Sequence, residues 1–83
     1  MLRAEQIRAA RALLDWSQSR LAEAAGVSLP TVKRIEGKGP GRSAVDTLVA
    51  IESALEQAGV VFIAENGGGG AGVRMRGPAK REE

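Results

Sequence analysis

The same helix start signal occurs twice in close succession, and this repeat constrains the fold more than any other feature of the sequence. Ser17 and Ser28 each suit a helix N-cap, because a serine hydroxyl can accept a hydrogen bond from a free backbone N–H. Each serine follows one apolar residue and precedes another by four positions, the spacing of a hydrophobic staple. Gly26 lies between them and suits the left-handed backbone that ends a helix. The sequence therefore predicts two short helices joined by a tight turn.

The residues at the crossing of these two helices match the packing of a helix-turn-helix. Ala22 supplies the small side chain that the first helix needs, and Val32 and Ile35 direct the second helix into the core. We expect the second helix to end at about Glu36, with Gly37 as its stop. A generic helical hairpin would not need all of these residues at this spacing, so the pattern favours a helix-turn-helix.

Helical periodicity predicts one further helix on each side of this pair. The first covers roughly residues 4–14, and the last covers roughly residues 44–58, before Gly59. Ser43 and Asp46 have the spacing of a capping box at the start of the last helix. The inner face of that helix is predicted to consist of Val45, Leu48, Ile51 and Leu55.

The stretch after Gly59 changes to a period of two and predicts a β-hairpin. Residues 60–64, VVFIA, are rich in β-branched side chains, and alternation makes both faces of this strand apolar. Asn66-Gly67 favours a turn, and residues 73–76 return as a second strand. The helices of one domain cover only one face of the first strand, so we expect the hairpin to serve dimerisation. The residues expected at that contact are Val60, Val61, Phe62, Ile63, Val73 and Met75.

Composition removes several kinds of chemistry. The 83 residues include neither cysteine nor histidine, which excludes thiolate or imidazole metal sites and histidine-based catalysis. Gly67, Gly69 and Gly72 fit G-x-G-x-x-G, but the segment that follows is too short for the required helix and is broken by Pro78. We therefore expect no metal, no cofactor and no enzymatic activity. The sequence also has no signal-peptide pattern and no membrane-spanning run, which predicts a cytoplasmic protein.

The formal net charge is only +2, but cations are concentrated around the second helix of the pair. Between residues 28 and 42 the charged residues are Lys33, Arg34, Lys38 and Arg42, against the single acid Glu36. On a helical wheel Val32 and Ile35 face inward. The two successive cations at positions 33 and 34 then point outward together with Pro30. A cationic outward face suits a polyanion such as nucleic acid.

The segment QSRLAEAAGVSLPTVKRIEGKG, residues 18–39, resembles the helix-turn-helix of the Cro/phage-repressor (Xre-like) family of bacterial regulators. The resemblance extends over roughly residues 4–59. It is specific at Gln18, Leu21, Ala22, Gly26, Val27, Ser28, Val32, Ile35, Glu36 and Gly37. The chain differs from the phage proteins by a strand where a fifth helix is usual, and by Leu29-Pro30 where a polar reading residue is common.

Together with the hairpin pattern, the resemblance implies a mainly α fold, a four-helix Cro/repressor-like helix-turn-helix bundle over residues 1–59 followed by a C-terminal β-hairpin over residues 60–76. Residues 77–83 are expected to form a disordered tail. The implied function is that of a sequence-specific transcriptional regulator that binds a palindromic double-stranded DNA operator as a homodimer. Its recognition helix, about Ser28–Glu36, would lie in the major groove.

The wheel and the resemblance also give roles to individual side chains. The residues expected to contact bases are Leu29, Pro30, Lys33 and Arg34. The residues expected to contact phosphates are Gln18, Ser28, Thr31, Lys38 and Arg42. The resemblance pairs Arg11 of the first helix with Glu36, as a partly buried structural ion pair.

Two alternatives stay open at this point. A helix-turn-helix adaptor or antitoxin-like module would bind a protein partner instead of DNA, but it would more often carry apolar or acidic residues at the positions of Lys33, Arg34 and Lys38. For the C-terminal segment, a flexible linker explains the glycines but not a strand that is apolar on both faces.

Overall fold

The computed structural model describes residues 2–77, which form four helices followed by a two-stranded antiparallel hairpin. The elements are α1 (Ala4–Leu14), α2 (Gln18–Ala25), α3 (Leu29–Lys38), α4 (Val45–Gln57), β1 (Val60–Ile63) and β2 (Gly72–Met75). The predicted fold class is confirmed. The tail expected after Gly77 lies outside the described residues. Within residues 2–77, no helix has the length and apolar character needed to cross a membrane.

The helix starts and the turn of the central pair follow the local chemistry of the sequence. Ser17 Oγ accepts from the backbone N–H of Arg20 at 2.9 Å, and Ser28 Oγ accepts from that of Thr31 at 3.2 Å. Gly26 ends α2 with a φ of 70°, a left-handed conformation that glycine adopts without the steric cost of a Cβ. The predicted caps and turn are therefore confirmed.

The predicted end of α3 is wrong. Gly37 does not stop the helix, which continues to Lys38. The positive φ that breaks the helix falls at Gly39, with a value of 86°. The Gly39 N–H then donates to the Ile35 carbonyl at 2.8 Å and satisfies one of the last free acceptors of the helix. A glycine therefore marked the right region, but the one with left-handed backbone lies two residues later.

Two predictions for the start of α4 are also wrong. Ser43 does not cap the helix, because Ala44 occupies the cap position and the Ser43 hydroxyl instead accepts from Arg34 Nη1 at 3.0 Å. Val45 is 69% exposed, since it lies in the first turn about 90° around the helix from the direction of the core. The other three predicted inner residues are buried: Leu48, Ile51 and Leu55.

The pairing of β1 with β2 decides which hairpin side chains face the helices. Val60 lies opposite Met75, and Phe62 lies opposite Val73. Val60 belongs to the core, and the other three side chains pack against it. The predicted alternation of β1 is thus confirmed, whereas β2 begins one residue earlier than predicted, at Gly72.

The core lies where the helices meet the inner face of the hairpin. Its largest fully buried side chains are Ile7, Leu21, Val32, Ile35, Ile51, Leu55 and Val60. Helix α2 contacts α3 and α4, α1 contacts α3 and β2, and α4 contacts β1. The hairpin and the helices therefore share one core, and this core holds α3 with one face toward solvent.

Candidate nucleic-acid interface

Helix α3 has one buried face and one exposed cationic face. Val32 and Ile35 are fully buried, whereas Lys33 and Arg34 are exposed. Pro30, in the first turn of the helix, is exposed as well. This is the orientation that the helical wheel predicts, and it leaves two adjacent cations available to a partner in solution.

Glu36, the only acid of α3, is turned away from this exposed face and is only 3% exposed. Its carboxylate accepts from Arg11 at two points, with an Nε–Oε2 distance of 2.7 Å and an Nη2–Oε1 distance of 2.8 Å. Arg8 donates to the Glu36 carbonyl oxygen. The hydrogen bonds to Glu36 raise the pKa of Arg11, with the negative charge of Glu36 adding to them and burial opposing them. The negative charge of α3 is therefore neutralised inside the protein.

Gln18, the first residue of α2, reaches the same carboxylate. Its Nε2 atom donates to Glu36 Oε1 at 3.1 Å. Gln18 thus ties the start of α2 to α3. Because a side-chain amide has two N–H donors, one remains for the expected phosphate contact, which stays a prediction.

The segment of residues 39–44 between α3 and α4, here named the exit loop, is linked to α3 through Arg34. Arg34 Nη1 donates to Ser43 Oγ at 3.0 Å, which uses one of the five N–H donors of the guanidinium. Lys38, the last residue of α3, and Arg42, within the loop, are both exposed. Among residues 2–77, neither of these two cations forms an ion pair.

Ser28 and Thr31 are engaged with each other at the start of α3. Their hydroxyl oxygens lie 2.7 Å apart, and Ser28 also accepts from the Thr31 N–H. Leu29 is half-buried and packs against the core, so only part of its side chain is available to a base. The predicted base and phosphate residues therefore all lie at the first position of α2, on the start, outer face and end of α3, or in the exit loop.

The sequence of this region matches a known family. The helix-turn-helix family matches the chain over residues 7–57, more than half of its length. The chain belongs to the helix-turn-helix family. The resemblance to Cro/phage-repressor (Xre-like) regulators is thereby confirmed, and the match includes all of α2, α3 and α4. No curated protein matches the chain.

The match to the helix-turn-helix family ends before the hairpin, whose role rests on its own contacts. Of the six residues expected at a dimer contact, four belong to or pack against the core of their own chain: Val60, Phe62, Val73 and Met75. Val61 and Ile63 face outward, half-buried and 38% exposed respectively. A contact between copies has fewer apolar side chains available than the sequence suggested, and dimerisation stays a prediction.

Two polar residues that organise this helix-turn-helix protein were not identified from the sequence: Gln6 and Arg8. Gln6 is 6% exposed, and its Nε2 atom donates to the carbonyl oxygens of Ile63 and Gly72 at 3.3 and 3.1 Å. Its Oε1 atom accepts from the Arg3 N–H at 2.9 Å, so the Arg3-x-x-Gln6 spacing of a capping box was the available signal. Arg8 had no local signal, since its acceptor lies 28 residues away.

Proposed function

We propose that the chain is a sequence-specific DNA-binding transcriptional regulator of bacteria, which inserts α3 into the major groove and acts as a homodimer on a palindromic operator. The family match supports DNA binding. The observation that carries the proposal is that the negative charge of α3 is buried and its positive charges are exposed. Glu36 is buried and paired with Arg11, whereas Lys33 and Arg34 are exposed. A helix that hides its only acid and exposes its cations is suited to a polyanion.

The outer face of α3 would recognise the DNA sequence by contacting the edges of the bases. Arg34 has free N–H donors for guanine O6 and N7, the commonest specific contact in the major groove. Lys33 serves the same edge with less geometric selectivity. Leu29 and Pro30, at the start of the helix, would make apolar contacts, for which the thymine methyl is the natural partner.

Phosphate contacts would flank this helix. Lys38 and Arg42 extend from its end and from the exit loop. Gln18 lies at the N-terminus of α2, where free backbone N–H groups favour an anion. Ser28 and Thr31 lie at the N-terminus of α3, Ser28 as its N-cap and Thr31 in its first turn. Contacts of this kind fix the orientation of the protein and carry no sequence information by themselves.

We infer a homodimer because one copy contacts only a short segment of DNA. A single α3 covers a few base pairs, and a two-fold axis would set two recognition helices about 34 Å apart, one turn of DNA. The outer face of the hairpin supplies the contact between copies. Such a regulator needs no cofactor and no catalytic activity, and it works in the bacterial cytoplasm. An adaptor or antitoxin-like role is disfavoured by the exposed cations at Lys33, Lys38 and Arg42.

Electrophoretic mobility shifts on operator-free duplex DNA, measured between roughly 50 and 200 mM salt, test the proposal. Two cationic phosphate contacts on each half of a dimer, Lys38 and Arg42, predict a slope of log affinity against log salt of about −4. Arg20→Ala is the control, because Arg20 is an exposed cation of α2 beside Glu23 and is not among the predicted DNA contacts. Selection from random duplexes then yields the operator. Absence of any salt-dependent binding would refute the proposed function and favour a protein partner.

A further inference from the structure

Arg8 of α1 carries a positive charge that no acid of the described chain neutralises. Its Nη1 atom donates to the Glu36 carbonyl oxygen and not to the carboxylate, which is already bonded by Arg11 and Gln18. Among residues 2–77, the ion pairs do not include Arg8. The contact uses one of the five N–H donors of the guanidinium, which is therefore fixed beside the last turn of α3 with donors left over.

Arg8 and Lys38 line one cavity of about 590 Å³ between the first half of α1 and the end of α3. Lys38 is the last residue of α3, and the cavity continues along the start of the exit loop. Apart from Lys38, the lining on that side consists of three glycines and a proline: Gly37, Gly39, Pro40 and Gly41. Because these residues have no long side chains, a ligand can approach the main chain closely. Both cations are exposed, so an anion from solution can reach each of them.

The described lining of this cavity includes one acid, Glu5, but its charge is compensated. Glu5 Oε1 lies 3.9 Å from Arg3 Nε, and Arg3, which also lines the cavity, donates from Nη1 to Glu65 at 3.0 Å. Arg3 is thus shared by two acids, whereas Arg8 and Lys38 have none among residues 2–77. The charge that stays unneutralised in the cavity is therefore positive and lies on Arg8 and Lys38.

The cavity lies at the end of the exposed cationic face of α3. Arg34 and Lys38 are four residues apart, so they lie on the same side of the helix, with Lys38 one turn closer to its end. In the proposed function the start and outer face of α3 contact base edges, which leaves the end of the helix near the sugar–phosphate backbone that borders the groove. A backbone phosphate at this place would lie beside Lys38 and the cavity that Lys38 lines.

We propose that this cavity holds one phosphate of the DNA backbone, which Arg8 contacts from α1 and Lys38 contacts from the end of α3. The proposal rests on the proposed function and adds to it a contact outside the helix-turn-helix pair. The Nε and Nη2 groups of Arg8 make no hydrogen bond within residues 2–77, and a guanidinium can donate two parallel N–H bonds to phosphate oxygens. Lys38 adds a point charge at the same phosphate. Arg8 keeps its bond to the Glu36 carbonyl through Nη1 while it binds DNA.

Stabilisation of α3 alone does not explain this arrangement. A cation beside the last carbonyl groups of a helix stabilises it, and Arg8 does so at Glu36. That role needs only one N–H donor, and it does not require a second unpaired cation in the same cavity. A free anion would meet the same two charges, but a phosphate of DNA bound along α3 is held there by the rest of the interface as well, which raises its effective concentration at the cavity.

Arg8→Gln tests the site, because glutamine keeps an N–H donor for the Glu36 carbonyl but removes the charge. In mobility shifts over the same salt range, the slope of log affinity against log salt should decrease in magnitude by about 0.9 for each copy of the chain. Arg8→Lys should keep the wild-type slope, because the charge remains, but it should bind all duplexes several-fold more weakly without the two-point contact.

The matched control is Arg3→Gln. Arg3 is a cation of the same cavity that is already paired with acids, so the slope of this variant should equal that of the wild type. A wild-type slope for Arg8→Gln would overturn the phosphate site. An equal decrease for Arg3→Gln would also overturn it, because the effect would then follow from net charge and not from a contact.

Ethylation interference on the selected operator identifies the phosphate. Each ethyl group removes the charge of one phosphate, so binding by the wild type should fall when the phosphate in the cavity is modified. Arg8→Gln and Lys38→Ala should each weaken the interference at that same phosphate, and Arg8→Lys allows the same comparison if Arg8→Gln lowers the unfolding midpoint. Relief at two different phosphates would show that the two cations do not share a ligand, and it would overturn the site.

Inorganic phosphate at constant ionic strength distinguishes a free anion from DNA. It should raise the urea unfolding midpoint of the wild type no more than that of Arg8→Gln. A larger rise for the wild type would assign the cavity to a small anion and overturn the DNA contact. A wild-type chain that binds no duplex would refute the regulator together with this site, whereas DNA binding with an unchanged slope in Arg8→Gln would refute the site alone.

Discussion

Arg11 of α1 and Glu36 of α3 form a two-point ion pair, with Nε–Oε2 and Nη2–Oε1 distances of 2.7 and 2.8 Å. The Glu36 side chain is 3% exposed, while that of Arg11 keeps 21% of its exposure. Removal of one partner from such a pair leaves the other charge desolvated and uncompensated. The pair therefore fixes α3 relative to α1, and it does so in the protein interior while Lys33 and Arg34 stay exposed.

Arg11→Ala should destabilise the fold by about 3 kcal/mol, at the low end of the range for buried pairs because solvent reaches Arg11. The measurement is urea unfolding followed by the fluorescence of Trp16, the single tryptophan. Changing Arg11→Met and Glu36→Leu together should cost less than Arg11→Ala alone, since no charge is then left unpaired.

The matched control for this prediction is Arg20→Ala. Arg20 and Glu23 also form an ion pair, at 3.7 Å, but their side chains are 51% and 80% exposed. The exposed pair and the contact of the Arg20 guanidinium with the Trp16 ring, 4.7 Å from its centroid, each contribute at most about 1 kcal/mol, so the loss should be below about 2 kcal/mol. Strictly additive losses for Arg11 and Glu36 in the double-mutant cycle would contradict a coupling between them.

Gly26→Ala should cost about 1 kcal/mol, because a Cβ is disfavoured in the left-handed backbone that joins α2 to α3. No atom lies within 4 Å of the position that the Cβ would take, so the cost comes from the backbone and not from a clash. Gly67→Ala is the control, since Gly67 has the same open space without a positive φ. Equal unfolding midpoints for the two variants would show that the turn does not depend on glycine.

The parts of the fold that could be predicted from the sequence are those governed by local chemistry. Ser17, Ser28 and Gly26 act within a few residues of their own position, and the structure has them in the predicted roles. The periodicity of α1 and β1 is likewise local, since one face recurs every three to four residues in a helix and every second residue in a strand. The family resemblance added the four-helix arrangement.

The features missed from the sequence depend on partners far along the chain. Ser43 has the spacing of a cap, but the Arg34 guanidinium, nine residues earlier, takes its hydroxyl. Val45 is apolar, yet it lies about 90° around α4 from the direction of the core and is 69% exposed, whereas Leu48 is buried. Gln6 donates to the carbonyl oxygens of Ile63 and Gly72, which lie 57 and 66 residues later in the chain. No local sequence pattern encodes contacts over such a separation. The DNA and dimer contacts remain predictions because they require a second molecule.

Arg34→Ala should weaken operator binding by about 1–3 kcal/mol and relax the preference at a single base-pair position. The guanidinium bonds only Ser43 among the described residues, so its loss should leave the unfolding midpoint nearly unchanged. This effect is measured by mobility-shift assays in which operators altered at one base pair at a time compete for the protein. An equal loss of affinity for every sequence would identify Arg34 as a phosphate contact.

Lys38→Ala and Arg42→Ala should behave differently from Arg34→Ala. Both cations are exposed at the exit loop, and a phosphate contact carries no sequence information. Each change should weaken all duplexes alike and reduce the magnitude of the salt slope by about one for each lost contact. Glu52→Ala on α4 is a charge control that should leave the slope unchanged. If the salt slope were unaltered in both the Lys38→Ala and the Arg42→Ala variants, the exit loop would not be part of the DNA interface.

Gln6→Ala should loosen the hairpin selectively, because it removes the donor shared by the Ile63 and Gly72 carbonyl groups and the acceptor for the Arg3 N–H. Each hydrogen bond lost contributes about 0.5–1.5 kcal/mol, so we expect a loss of about 1–3 kcal/mol in urea unfolding. Amide exchange should accelerate in β1 and β2 more than in α2, since the hydrogen bonds lost are those that attach the hairpin to α1.

Gln6→Glu separates loss of hydrogen bonds from loss of packing at the same site. It keeps the shape and the acceptor for Arg3, but it turns a negative carboxylate toward two carbonyl oxygens, so it should destabilise at least as much as Gln6→Ala. Gln57→Ala is the control, because Gln57 is exposed at the end of α4, and its cost should stay within about 0.5 kcal/mol. If Gln6→Glu retained wild-type stability and hairpin protection, the amide would not anchor the hairpin, and packing of Val60 and Met75 would be its main attachment to the helices.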